Sequence, residues 1–361
     1  MNNKVAFANN LRGIACIIVV ISHFFGVFYA MPQAVHDLLR IGGTDLHEAV
    51  YPVFHFFQLP SIFNYGAIGV SLFFLISGFV IPFSLDKYTG KGFLFNRMCR
   101  IYPTYFCALS ITVFVLFLNS SIYNSVFSIT FSDFLRQAFL IRDLFWVPSL
   151  DGVSWTLEIE IKFYIICLFM YKIAKNKICG LLVVLLALSC MMLVMSYFSE
   201  SIPYTQKFVV LLDVPILIYM LCGSIFNFMY REILSPRVSL IMMLLLLLIF
   251  KVTSNISILP ETTYINYIIS FIIFSGGYFS KNVIKENRLF SFMADISYPM
   301  YAVHGVLGYT ILEYFVRANY NIWVGFMVTF SVVVLLSWVL HITVEKPTIT
   351  LSKKYASCRR C

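Results

Sequence analysis

Hydrophobic residues along this chain come in long runs, broken by short stretches where charge and proline collect. The runs fall at 11–31, 66–85, 101–119, 158–174, 178–198, 208–229, 238–254, 262–280, 292–316 and 322–344. Several reach the ~20 residues that a helix needs to cross a hydrocarbon core. Backbone N–H and C=O groups in lipid have to bond within their own segment, so each run is expected to be helical. The pattern predicts an all-α polytopic transmembrane bundle of about ten helices. Two connecting segments, 32–65 and 120–157, are long and hold Pro, Asp and aromatics. Amphipathic pieces such as 133–146 suit a membrane interface. No internal repeat or low-complexity linker divides the chain, so 1–361 reads as one transmembrane domain with no fused extracytoplasmic domain.

Composition agrees with the pattern. Hydrophobic residues make up 60% of the chain and charged residues only 12%, about half the share a soluble protein carries. Too little polar surface exists to face water, so lipid is the expected solvent. The net charge of +9 does not point to nucleic acid, because the basic residues sit in the short loops that encode membrane orientation. With the N-terminus placed inside, 19 of the 26 Lys and Arg fall in inside segments and six outside, with Lys162 within a span. That asymmetry predicts both termini in the cytoplasm. No small-residue cleavage site follows the first run, so no removable signal peptide is expected. Cys16, Cys107, Cys167, Cys190 and Cys222 lie in apolar runs, where Cys is an ordinary small hydrophobe. Cys358 and Cys361 form a lone CxxC in a tail expected to be structureless. The polar residues of 32–65 (His36, Asp37, Asp45, His47, Glu48, His55) fit no metal-ligand spacing, and no metal site is expected.

Candidate chemistry sits where ionisable groups enter the apolar runs, since such groups are costly in a membrane unless they pair or line a wet cavity. Arg12 stands at the start of the first run and His23 deep within it, eleven residues and ~16 Å of helix apart, on nearly one face. Packing alone is an equally good account of His23 taken singly. Gly66, Gly69, Gly78, Ser71 and Ser77 in the second run are small and favour close helix approach. Arg97 and Arg100 share a face before the third run. A helix N-terminus there, with its free N–H groups, would complete a phosphate cradle, although taken alone the two arginines are better explained as inside-facing topology anchors. In the fourth run Glu158 and Lys162 have the spacing to pair, leaving Glu160 to find another partner. Tyr298, Tyr301 and His304 recur at steps of three in the ninth run, which a polar packing seam would also explain.

The ordered set is more specific than any member. Arg-x10-His, GVSLFFLISGF, RMCRIYP, WTLEIEIKFY and ISYPMYAVH follow one another along the chain, and EKP closes it at Glu345–Pro347. This set resembles the acyltransferase family 3 membrane proteins from about Asn9 to Pro347. The family includes bacterial O-acetyltransferases of surface polysaccharides. The resemblance implies that His23 is the essential histidine and that Arg12 is its basic companion. It implies that Arg97 and Arg100 bind the acyl-CoA donor and that Glu160 is the catalytic acid residue of the fourth-run motif. Tyr301 and His304 become candidate acceptor-cavity residues. Pro299 departs from the serine of many relatives and is expected to bend the ninth helix.

Joined together, these readings give an O-acyltransferase of the bacterial inner membrane. Acyl-CoA, with acetyl the expected group, is a co-substrate rather than a bound cofactor. Arg12, Arg97 and Arg100 hold its phosphates inside, and His23 acts as general base or acyl carrier on a sugar hydroxyl. Expected partners are the glycan acceptor, membrane lipid and other glycan-assembly proteins. A flippase for a lipid-linked glycan, or a non-catalytic receptor or scaffold, would share the spans and buried polar groups. Neither explains the ordered motifs.

Overall fold

The computed structural model describes residues 5–42, 62–145, 147–173, 176–198 and 204–357. Asp45, His47, Glu48 and His55 of the polar 32–65 segment, and the Cys358–Cys361 pair, lie outside these. The described residues are almost entirely helical and contain no strand. We number the helices α1 (Ala6–Ala30), α2 (Pro32–Leu39), α3 (Tyr65–Leu85), α4 (Gly90–Ile122), α5 (Phe131–Ala138), α6 (Trp155–Leu168), α7 (Lys177–Tyr197) and α8 (Tyr204–Tyr230). Then come α9 (Pro236–Ile256), α10 (Thr263–Phe279), α11 (Arg288–Asp295), α12 (Ser297–Arg317), α13 (Ile322–Leu340) and α14 (Lys346–Ser357). Nine of the ten apolar runs each coincide with one helix, and the ninth spans two. Among the described residues, seven helices are long and apolar enough to cross a membrane by length and composition. Runs four, eight and nine, now α6, α10 and α12, fall outside that group.

Small residues set the packing, as their spacing predicts. A side chain on Gly78 of α3 would place Cβ 2.1 Å from the Met220 carbonyl oxygen of α8, and one on Gly223 would meet Leu75 O at 2.3 Å. The two backbones therefore touch, and α3 becomes the central post against which α1, α8 and α10 pack. Ser71 donates to Ser270 at 2.6 Å, tying α3 to α10 with a bond that has no competing water.

Three local expectations are corrected. The ninth run is two helices, because the chain turns at Ile296 and α11 lies beside α1, where Gly13 leaves room for the Phe290 carbonyl. Pro299 sits in the first turn of α12 and bends nothing, since no N–H is needed there. Glu158 and Lys162 do not pair. Arg142 donates to Glu158 at 3.0 Å, while Lys162 bridges Asp143 and Asp213. These partners, distant in sequence, fasten the 3₁₀ turn Arg142–Phe145 to α6 and α8.

The ends of the bundle sort by charge. Segments assigned to the inside touch one another: Asn10 donates to the Lys285 carbonyl, Arg231 pairs with Asp86, and Asn96 donates to Ser352. Those assigned to the outside do likewise, with Arg40 donating to Ser128 and His36 beside Glu313.

Candidate functional site

The first helix loosens into a π-turn over Ser22–Val27, and His23 lies within it. Such wide turns insert a residue and re-aim the side chains around them. The His23 ring meets His304 of α12 edge to face, with centroids 4.6 Å apart. His23 Nδ1 lies 2.6 Å from the Tyr309 hydroxyl. His304 is fully buried, and its Nδ1 faces the carbonyl oxygens of Tyr301 at 2.9 Å and Met300 at 3.1 Å. Carbonyls only accept, so this nitrogen carries the proton. His304 Nε2 has no hydrogen-bond partner among the described residues.

A narrow cavity of about 50 Å³, room for a few waters, lies among α1, α3, α6 and α12. Arg12, Ser77, Glu160, Ser297 and Tyr301 line its polar side, and Phe73 and Phe74 its apolar side. Tyr301 links this cavity to the imidazoles: its hydroxyl accepts from Thr156 at 3.0 Å, and its ring is 5.5 Å from His304. Arg12 Nε donates to Ser297 Oγ at 3.0 Å.

The arginines gather at the same end but differ in setting. Arg12 and Arg100 are electrostatic neighbours, and both feel Glu160 and Glu345. Arg97 is 6% exposed and donates to Ser84 Oγ at 2.5 Å. Its guanidinium lies over both Phe93 and Tyr164, at 5.5 and 5.4 Å from the ring centroids, while the two rings meet edge to face at 6.0 Å. The expected helix N-terminus is not there. Helix α4 begins at Gly90, so the N–H groups near Arg97 and Arg100 are already bonded within the helix. Glu160 accepts from Tyr164 at 2.7 Å.

The structure thus brings Arg12, Arg97, Arg100 and Glu160 to one end, puts Tyr301 in the middle, and sets His23 with His304 beyond it. Sequence reasoning overlooked Tyr309 and Asp151, and took Glu345 only as part of the closing EKP. Glu345 is 3% exposed, accepts from His341 at 2.7 Å and faces Arg100. Its signal was a carboxylate at the end of the last apolar run. Asp151 is buried and accepts from Tyr105, Ser149 and the backbone of Val153 and Ser154. It holds the segment before α6 against α12, where Gly305 admits the Asp151 carbonyl. An aspartate-glycine turn signal marks it in the sequence, but nothing marks its burial.

Comparison with known proteins adds an independent line. Residues 5–342 match the acyltransferase-domain family model Acyl_transf_3. A similar curated protein is Nodulation protein 10 of Rhizobium leguminosarum bv. viciae, 26% identical over 140 residues. That alignment spans 34% of this chain and 38% of the relative. No solved structure matches the chain.

Proposed function

The chain belongs to the acyltransferase-3 family, and on that premise we propose that it moves an acyl group, acetyl by the family resemblance, from cytoplasmic acyl-CoA to a sugar hydroxyl of a surface polysaccharide or its lipid-linked precursor. One observation carries the reading: a guanidinium cluster, a polar cavity and a buried imidazole pair follow one another through the bundle. The proposal places the protein in the bacterial inner membrane, with ten crossings and both termini inside.

In this reading the donor phosphates rest on Arg12 and Arg100, with Arg97 packed behind them. Glu160 and Glu345 balance these charges while no donor is bound. The pantetheine arm enters past Ser297 and Tyr301 once the cavity widens, bringing its thioester toward His23. His23 takes the proton from the acceptor hydroxyl as the oxygen attacks the thioester carbonyl. The C–S bond breaks, the thiolate receives that proton, and the sugar ester forms.

The test is His23→Gln, which keeps size and some hydrogen bonding but has no basic nitrogen near neutral pH. We expect normal insertion, unchanged acyl-CoA binding and transfer lower by ~10²-fold or more. Mass spectrometry of surface glycans, with and without the active protein, reads out the acyl group and the acceptor together. Near-normal transfer by His23→Gln would make His23 a packing residue.

A further inference from the structure

We propose that Tyr309 is a positioning residue for the transfer: its phenol oxygen accepts from Nδ1–H of His23 and so fixes Nε2 as the nitrogen that takes the proton. The inference rests on the reading of His23 as general base.

A neutral imidazole has one N–H and one lone pair, and which nitrogen holds which is set by the partner of the other. His23 has one hydrogen-bond partner among the described residues, the Tyr309 hydroxyl at 2.6 Å. His304 cannot set the tautomer. Its own Nδ1–H is committed to two carbonyls, and it touches His23 edge to face with no hydrogen bond between the rings. That contact fixes the plane of the His23 ring but not the site of its proton. The 2.6 Å contact is compatible with either direction, and the general-base reading requires the one in which the phenol accepts from Nδ1–H, a bond it can keep when the ring becomes an imidazolium. A phenol donating to Nδ1 would instead put the ring's proton on Nε2 and leave no base there.

The surroundings show that this contact is held in place. Gly308 precedes Tyr309, and a side chain there would place Cβ 2.4 Å from Phe24 Cε1. Phe24 therefore lies on the bare backbone of α12, bringing its neighbour His23 against the same helix. Phe28 stacks on the far side of Tyr309, with centroids 6.0 Å apart and planes at 26°. The π-turn that carries His23 also carries Phe24, so the loosened turn and the glycine act together. Tyr309 is 2% exposed, so bulk water does not compete for its hydroxyl.

Tyr309→Phe removes the oxygen and keeps the ring that packs on Phe28. The full-length protein, labelled with ¹⁵N-histidine and held in lipid nanodiscs, reports the tautomer through its ring ¹H–¹⁵N spectra. The His23 signals are those lost in His23→Gln. We expect wild-type His23 to carry its proton on Nδ1, and Tyr309→Phe to populate the Nε2–H form. Turnover, followed as thiol release from acetyl-CoA in bacterial membranes bearing their own glycan acceptors, should fall about tenfold, the worth of one hydrogen bond. The KM for acetyl-CoA should stay unchanged. Wild-type His23 found as the Nε2–H form would overturn the inference. So would a Tyr309→Phe protein whose tautomer is unaltered, whatever its turnover. Full turnover by His23→Gln would instead sink the general-base reading, and the spectra, which need no turnover, keep the two failures apart.

Discussion

At the scale of single residues, the two arginines of the RMCR motif are chemically alike but sit in different places. Arg97 is buried against two rings and bonded to Ser84. Arg100 is partly exposed among Glu345, Tyr164 and Glu160. Arg100→Ala is therefore expected to weaken acyl-CoA binding about tenfold to a hundredfold, the worth of a charge-assisted bond. Arg100→Lys should recover only part of this, lacking the planar fork. Arg97→Lys is expected to lower the melting temperature more than it changes Kd, because a lysine lacks the planar guanidinium that contacts both Phe93 and Tyr164. Titration calorimetry beside a thermal melt checks both, and equal losses of affinity would contradict this division. His23 and Arg12 were legible in the sequence because an ionisable group in an apolar run stands out against its background. Tyr309 was not. The chain holds 22 tyrosines, and an amphipathic phenol in a span looks the same whether it packs or orients an imidazole.

Among helices, contact follows from what the side chains omit. The α3–α8 crossing depends on Gly78 and Gly223, each facing backbone atoms that cannot rotate away. Gly78→Val should force the helices apart and cost about 1–3 kcal/mol or more. The expected readout is a lower yield of monodisperse protein and a lower melting temperature. Normal stability would mean that α3 is free to shift. That the second span packs closely was readable from its small residues, but its partner α8 was not. The true partners of Glu158 and Lys162 were not. Helical spacing offers the nearest opposite charge, but a buried ion pair is decided by whichever group satisfies its remaining bonds. Here Arg142, Asp143 and Asp213 arrive from elsewhere in the chain. The turn at Ile296 was hidden for a similar reason, since an apolar stretch looks continuous in one dimension even where the chain changes direction.

For the molecule as a whole, the distribution of basic residues predicts which end faces the cytoplasm. Reporters fused after Ser357 and within 43–61 should read inside and outside respectively. An extracytoplasmic signal after Ser357 would contradict ten crossings. The narrowness of the cavity bears on the cell's energy supply. A line of arginine, tyrosine and histidine running through a bilayer, if joined by continuous water, would let protons hop down their gradient and discharge the membrane. The cavity beside Phe73 and Phe74 has space for only a few waters, so the native chain is expected to carry little of that current. Replacing both phenylalanines with alanine should raise it. Proteoliposomes loaded with a pH-sensitive dye should then lose an imposed gradient faster than those carrying the native chain, the mark of an aromatic wall that works as an electrical insulator.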